Sequence, residues 1–175
     1  MIRITEDIVL NPLSVDDIFK IFNTLDTERE YMREWLPFVD STTVVEDTAN
    51  FVNHVLQSED KQFTIWYKDK FVGLIGFKDT DISNKKIEIG YWLSQYVQGK
   101  GIITLSVQKL LEYAFFEMEM NRVQIKVAVA NQKSRKIPER LGFQLEGIER
   151  DGELLVDNAF TDIAVYSLLK KEFKG

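Results

Sequence analysis

The segment from Lys86 to Ala130 constrains the fold most, because a strand pattern there changes to a helix pattern and then returns. Lys86–Leu93 is a short run rich in β-branched and aromatic residues, and Gly101–Met118 carries apolar residues at helical spacing. Arg122–Ala130 again alternates apolar with polar or small residues. Two strands that are joined by a helix lie parallel in one sheet. The sequence therefore predicts a parallel strand pair in the middle of the protein.

The rest of the chain predicts a mostly antiparallel sheet around that pair, with helices packed against both of its faces. Ser14 with Asp17 has the spacing of a helix N-terminus, and Gly142 follows the last helix as a cap. We expect an α/β fold in one domain over residues 1–175. The other predicted segments are strand Ile2–Leu13, helices Ser14–Leu25, Glu28–Trp35 and Asp47–Ser58, strands Gln62–Tyr67 and Phe71–Lys78, helix Ser134–Leu141, and strands Phe143–Arg150 and Phe160–Leu168.

The composition excludes several kinds of chemistry. There is no cysteine and only one histidine, so disulfides, thiolate metal sites, a cysteine nucleophile and a Ser/His/Asp triad are not expected, and neither is a metal. The net charge of −6 argues against nucleic acid as a partner and favours a basic substrate. No signal peptide and no run long enough to cross a bilayer is visible, which predicts a cytoplasmic protein without a membrane partner.

The turn Gln98-Gly99-Lys100-Gly101 connects the first strand of the parallel pair to its helix and predicts an anion-binding site. Two glycines let the backbone fold tightly, and the helix N-terminus adds unpaired N–H groups and partial positive charge. A pyrophosphate fits such a site. The turn is neither a Walker A loop nor a dinucleotide fingerprint, since it lacks their further residues. A plain strand-to-helix turn remains the alternative.

Five motifs that follow one another along nearly the whole chain resemble those of the GNAT acetyltransferase superfamily. Within it, the chain is similar to the branch that acetylates the N-termini of ribosomal proteins, a similarity to which Trp35-Leu36-Pro37 adds. One departure falls on Ile103, where the family pattern has glycine or alanine. The motifs are Glu88-Ile89-Gly90-Tyr91-Trp92-Leu93, Gln98-Gly99-Lys100-Gly101-Ile102, Asn131-Gln132-Lys133-Ser134, Arg140-Leu141-Gly142-Phe143 and Glu146-Gly147.

The resemblance implies acetyl-coenzyme A as the acyl donor, bound where the parallel strands splay apart. Its pantetheine arm would pair with the backbone of Trp92, Leu93 and Ser94, as an added strand does. Asn131 would contact the pantetheine. Lys136 would meet the 3′-phosphate, unless it only belongs to a solvated helical turn. The pyrophosphate would lie on the amides of Gln98, Gly99, Lys100, Gly101, Ile102, Ile103 and Thr104.

The resemblance also implies direct transfer to a primary amine, which must lose a proton before it attacks. Glu88 is the candidate base and acceptor-binding residue; the alternative is that it faces solvent on a half-covered sheet. Ser134 is the candidate proton donor to the leaving thiolate, and Tyr166 is the second candidate, although Ser134 also suits a helix cap. Trp35 and Phe38 are expected to line the acceptor pocket, or else to belong to the core.

The acceptor itself stays open at the level of sequence. A ribosomal-protein N-terminus is the leading expectation, a polyamine or aminoglycoside-like amine is the alternative, and a non-catalytic coenzyme A sensor is a further one. The apolar final strand would allow a homodimer or larger homo-oligomer. The acidic pair Glu28 and Glu30 is expected to be solvated.

Overall fold

A computed structural model describes all 175 residues and contains one mixed sheet. Its eight strands lie in the order β1-β2-β3-β4-β5-β6-β8-β7, and only the β5–β6 pair is parallel. The predicted α/β class, with a mostly antiparallel sheet and one central parallel pair, is confirmed. The strands are β1 (Ile2–Arg3), β2 (Ile8–Pro12), β3 (Gln62–Tyr67), β4 (Lys70–Asp81), β5 (Lys86–Leu93), β6 (Arg122–Ala128), β7 (Gln144–Leu154) and β8 (Phe160–Leu169).

Six α-helices cover the sheet, and none is both long and apolar enough to span a membrane. The longest predicted helix divides into α5 and one π-helical turn at Tyr113–Glu117. The Ser14–Asp17 start and the left-handed Gly142 after the last helix are confirmed. The helices are α1 (Ile18–Thr27), α2 (Arg29–Met32), α3 (Phe38–Ser41), α4 (Val45–Leu56), α5 (Ile102–Glu112) and α6 (Gln132–Arg140).

The single predicted strand Ile2–Leu13 was wrong, because the chain turns back on itself within it. The Thr5 hydroxyl accepts hydrogen bonds from the backbone N–H groups of Asp7 (3.2 Å) and Ile8 (3.0 Å). Such a side-chain bond satisfies the backbone in a turn and competes with an extended strand. The segment therefore forms the antiparallel pair β1–β2.

Apolar residues pack on both faces of the sheet, as predicted. On one face α5 buries Val107 and Leu110, and the π-helical turn after it buries Phe115, against strand residues such as Phe77. On the other face α1, α2 and α4 form a smaller cluster that includes Leu74. Each buried side chain of this size stabilises the fold by about 1.5–3 kcal/mol. Alternation along β4 directs neighbouring side chains into opposite cores.

The position of strand β8 in the sheet explains its apolar pattern. This strand lies between β6 and β7, and Ala164, Tyr166 and Leu168 are buried in the core of the same chain. The apolar residues of β8, from which an oligomer was expected, are therefore buried within one chain. They no longer argue for an interface.

The parallel pair stays together for only a short distance. β5 and β6 pair at Lys86–Arg122, Ile87–Val123 and Glu88–Gln124, and the pairing ends there. Beyond this point β5 continues beside β4, and β6 continues beside β8. The two strands consequently diverge and leave a cleft between them, as the predicted splay requires.

An exposed polar cluster attaches the edge strand β7 to its neighbours. The Glu146 carboxylate of β7 accepts hydrogen bonds from Arg122 of β6 (2.8 Å) and from Ser167 of β8 (2.7 Å). These two partners, Arg122 first, lower the pKa of Glu146 to about 2. Glu146 therefore stabilises the fold above its unfolded pKa, and this contribution disappears as the pH falls through its folded pKa.

We expect Glu146→Gln to lower the free energy of unfolding by about 1 kcal/mol at neutral pH, a value kept small because the carboxylate is partly exposed. The difference from wild type should shrink between about pH 4.5 and about pH 2, where the wild-type carboxylate becomes protonated. Urea unfolding as a function of pH measures it. Glu59→Gln, an exposed carboxylate, is the control and should show no such trend. A constant Glu146→Gln difference down to pH 2 would contradict the assignment.

Candidate active site

A cavity of about 770 Å³ lies in the cleft between the diverging parts of β5 and β6. It is also lined by residues of α2, α4 and the first turn of α6. Nine residues that the sequence predicted for the site line this one cavity: Trp35, Phe38, Glu88, Trp92, Leu93, Gln98, Ile103, Asn131 and Ser134. Seven others do not line it: Ser94, Gly99, Lys100, Gly101, Ile102, Thr104 and Lys136.

The glycine turn before α5 has unpaired amides. Gly99 and Gly101 adopt φ angles of +75° and +74°, the left-handed region that favours glycine. The backbone N–H groups of residues 99–104 donate no hydrogen bond within the protein; the first bonded amide is that of Leu105, to Gly101. Open space lies where a side chain would begin on either glycine. These residues fit a pyrophosphate, because unpaired amides and a helix N-terminus stabilise an anion.

Ile103, the departure from the family pattern, does not disturb this arrangement. Its side chain is only 7% exposed and belongs to the core beneath α5. Its backbone N–H is among the unpaired amides of the turn. A bulky residue at this position is therefore accommodated by the core, and the amide stays available to a ligand.

Some backbone carbonyl groups at the end of β5 already accept hydrogen bonds from a side chain of the same protein. The Gln98 side-chain amide donates to the carbonyls of Leu93 (3.0 Å) and Ser94 (3.4 Å). The Ser94 hydroxyl donates to Glu28 at 2.6 Å. A pantetheine arm that pairs with the Leu93 carbonyl would have to share it with Gln98 or displace that side chain, whereas Trp92 lines the cavity without such a contact.

Two hydroxyl groups lie together at the start of α6. Asn131 caps this helix, since its side-chain oxygen accepts from the N–H of Ser134 (3.3 Å). The cap role that was the alternative for Ser134 therefore belongs to Asn131. The Ser134 Oγ lies 3.1 Å from the Tyr91 hydroxyl. Burial raises the pKa of Tyr91 to about 12, so this phenol keeps its proton at neutral pH.

Tyr91 was missed by the sequence reasoning, although it lies inside a motif that the reasoning used. Tyr166, the predicted second donor, is 1% exposed and does not line the cavity. Its hydroxyl accepts from Arg135 (2.9 Å) and donates to Glu139 (2.9 Å). Because its proton is engaged there, Tyr166 is not available to a group in the cavity.

Glu88 faces the cavity and not solvent, which excludes the alternative for this residue. It is 4% exposed; one carboxylate oxygen is 2.9 Å from the Lys78 ammonium, and the other accepts from Gln124 (3.0 Å). Gln124 in turn accepts from Arg122, the partner of Glu146. A polar chain across four strands therefore fixes the orientation of the Glu88 carboxylate.

A second carboxylate, Glu153 of β7, lines the same cavity and was not predicted. Burial, the largest cause, raises its pKa; Lys78 opposes the shift and the negative charge of Glu88 adds to it. No hydrogen bond contributes to the shift, so its oxygens are free to accept a proton. Neither the charge pattern nor the strand pattern could have indicated that β7 reaches this cavity.

The aromatic residues predicted for the acceptor pocket line the cavity and are not core. Trp35 is partly exposed and Phe38 is 46% exposed. Lys136, the residue predicted for the 3′-phosphate, is exposed outside the cavity. Of the two neighbouring basic residues, Lys133 lines the cavity, and Arg135 bonds Tyr166 and the Val129 carbonyl. Nowhere do three or more His, Cys, Asp or Glu side chains lie together in a way that could hold a metal ion.

Comparison with known proteins identifies the family. Residues 7–144 match the family model described as an acetyltransferase (GNAT) domain. YdaF of Bacillus subtilis (strain 168), named as an unproven ribosomal N-acetyltransferase, is 34% identical over 99% of this chain and 97% of its own length. The ribosomal-protein-serine acetyltransferase of Escherichia coli (strain K12) is 31% identical over 95% of this chain and 94% of its own length.

A solved structure gives the same result. The microcin C7 self-immunity acetyltransferase MccE, in complex with acetyl-CoA and AMP, is 26% identical, with a TM-score of 0.89. The match covers 96% of this chain and 95% of that one. The chain therefore belongs to the GNAT acetyltransferase family and is an N-acetyltransferase.

We expect Gly101→Ala to weaken binding of coenzyme A about tenfold, because a side chain would enter the space beside the unpaired amides. The positive φ should also lower stability by about 1 kcal/mol. Gly142→Ala is the matched control, since Gly142 has φ +80° and the same open space but follows α6 and is not part of the turn with the unpaired amides. Isothermal titration calorimetry and urea unfolding measure both effects. Equal affinities in the two variants would remove the turn from the binding site.

Proposed function

We propose that the protein transfers the acetyl group of acetyl-coenzyme A to the N-terminal amine of a ribosomal protein. The observation that carries the proposal is that one cleft holds two carboxylates and a hydroxyl pair and is also lined by Gln98 and Ile103 of the segment with the unpaired amides. The names of two relatives that align over nearly the whole chain support a ribosomal-protein acceptor.

The cofactor, when bound, supplies an activated acetyl thioester. The amides of residues 99–104 would hold its pyrophosphate, helped by the partial positive charge at the start of α5. The backbone of Trp92 to Ser94 would align its pantetheine arm along the unpaired side of β5. Asn131 would contact this arm with its side-chain N–H₂ group, because its oxygen is used by the helix cap. Lys136 is assigned to the 3′-phosphate.

Glu153 is our proposed proton acceptor for the amine. A base should have a pKa closer to neutrality than an ordinary carboxylate, and burial together with the Glu88 charge moves the pKa of Glu153 in that direction. Glu88, the base expected from sequence, has both oxygens engaged by Lys78 and Gln124. It remains the alternative acceptor, and in our proposal its charge attracts the ammonium form of the substrate.

Ser134 is our proposed proton donor to the leaving sulfur, with Tyr91 as its partner. When Tyr91 donates its proton to the Ser134 Oγ, the proton of Ser134 is free to point into the cavity. Two hydroxyl groups in a chain strengthen one another, and the buried Tyr91 keeps its own proton. The pair therefore directs one O–H group at the leaving sulfur. The proton that Ser134 gives to the sulfur is restored from solvent, to which Glu153 releases the proton of the amine.

The acceptor test uses a panel of amines with release of coenzyme A thiol as the readout. The panel holds peptides with N-terminal serine, alanine and acetyl-blocked serine, together with spermidine and an aminoglycoside. We expect turnover with a free peptide N-terminus and none with the blocked peptide. Turnover with spermidine or the aminoglycoside alone would replace the ribosomal acceptor by a small amine. Tight coenzyme A binding without any turnover would make the protein a sensor.

Glu153→Gln should lower kcat/KM about a hundredfold and remove the acidic limb of its pH profile, because deprotonated Glu153 is the active form. Glu88→Gln should keep that limb but move it to lower pH, since the like charge that raises the pKa of Glu153 is gone. Steady-state kinetics across pH distinguishes the two carboxylates. If Glu88→Gln removes the limb and Glu153→Gln keeps it, the base is Glu88.

Ser134→Ala should lower kcat about a hundredfold through loss of the donor. Tyr91→Phe should lower kcat about fivefold, which corresponds to the net free energy of one hydrogen bond. The double variant should be no slower than Ser134→Ala, because Tyr91 acts only through Ser134. Single-turnover kinetics at saturating acetyl-coenzyme A measures all three. Additive effects would show that the two hydroxyls act separately.

A further inference from the structure

A buried carboxylate outside the proposed chemistry connects two parts of the site. Glu28 lies between α1 and α2 and is 6% exposed, although its position in an acidic pair predicted a solvated residue. Its oxygens accept from the Ser94 hydroxyl (2.6 Å) and from the backbone N–H of Gln95 (2.8 Å). Arg29, the adjacent cation, pairs with Asp26 instead. The buried charge is therefore held by two neutral donors.

Those donors belong to the segment that leads from β5 to the anion-binding turn. Ser94 follows the last residue of β5, and Gln98 closes the segment by returning its side-chain amide to the Leu93 and Ser94 carbonyls. The Gln98 N–H is itself unbonded, and the run of unpaired amides extends from it to Thr104. By fixing Ser94 and Gln95, the Glu28 carboxylate fixes the path between the two parts of the chain that we assign to the cofactor.

The backbone of Glu28 begins helix α2, whose residues line the cavity. Its carbonyl accepts from the N–H groups of Tyr31 (3.0 Å) and Met32 (2.9 Å), the first bonds of α2. Tyr31, Met32 and Trp35 line the cavity on the side assigned to the acceptor. One residue is thus bonded to the cofactor segment through its side chain and to the acceptor wall through its main chain.

A buried carboxylate that loses its donors is costly, so separation of these two segments is strongly disfavoured. A ligand that orders one segment therefore restricts the other. Such coupling is reciprocal: the cofactor affects the acceptor wall as much as the acceptor affects the cofactor segment. We propose that Glu28 is a positioning residue through which coenzyme A binding orders the acceptor wall. The inference rests on the proposed function, because it assumes the same cofactor site.

The test measures hydrogen exchange of the backbone amides in residues 29–36, with and without saturating coenzyme A. No amine substrate is needed for this measurement. In wild type we expect coenzyme A to slow exchange there about fivefold or more, the lower limit of typical coupling between sites. In Glu28→Gln and in Ser94→Ala the slowing should fall below about twofold. Ser94→Ala leaves α2 untouched and keeps the test valid if Glu28→Gln does not fold. Glu30→Gln, an exposed carboxylate two residues away, is the matched control and should behave as wild type.

A purely structural role would speed exchange in the variants with and without coenzyme A alike and leave the ratio unchanged. That result would overturn the inference, as would a wild-type protein that binds coenzyme A without any slowing in residues 29–36. A wild-type protein that does not bind coenzyme A at all would instead overturn the proposed function. As a second readout, Glu28→Gln should raise the KM of the amine found by the acceptor panel about fivefold while changing kcat less than about twofold, in keeping with the lost coupling.

Discussion

The site depends on the point where β5 and β6 stop pairing. Up to Glu88 and Gln124 the two strands satisfy each other, and beyond them each keeps only its outer neighbour. A sheet that opens in its centre leaves backbone groups unpaired in a cleft that is lined by both apolar and polar side chains. A ligand with amide groups of its own can satisfy them as an additional strand would. The side chains of the same two residues bond to each other at the opening, so the place of divergence also fixes a carboxylate toward the cavity.

The parts of this arrangement that sequence could predict are the local ones. The strand–helix–strand order follows from periodicities within about forty residues, and the turn before α5 follows from Gly99 and Gly101, whose positive φ angles few other residues adopt. Family motifs added Glu88 and Ser134, both of which line the cavity. The strand predicted over residues 2–13 failed for an equally local reason, because the Thr5 hydroxyl bonds two backbone amides within its own turn.

What sequence could not predict depends on contacts between distant segments. Glu153 lies on β7, and nothing in its own segment indicates a cavity that belongs to β5 and β6. Tyr91 was visible inside a motif, but its partner Ser134 is 43 residues further along the chain. Glu28 was read as a surface charge because acidic pairs usually are, and its two donors are 66 and 67 residues away. The sequence around a charged residue predicts its exposure only where no hydrogen-bond donor from a distant segment bonds to it.

The two most buried carboxylates of the chain, Glu88 at the cleft and Glu28 outside it, differ in how their charge is balanced, and this difference suits different tasks. Glu88 has a lysine beside it whose ammonium is half-exposed, so its charge is partly neutralised and part of the pair remains in contact with water. Glu28 has only a hydroxyl and a backbone amide, both of which lie on a single short segment. A charge held by a flexible lysine tolerates movement of its surroundings, whereas a charge held by two fixed neutral donors does not. The first arrangement can admit a substrate ammonium; the second favours a rigid joint between the helix that borders the acceptor and the strand that borders the cofactor.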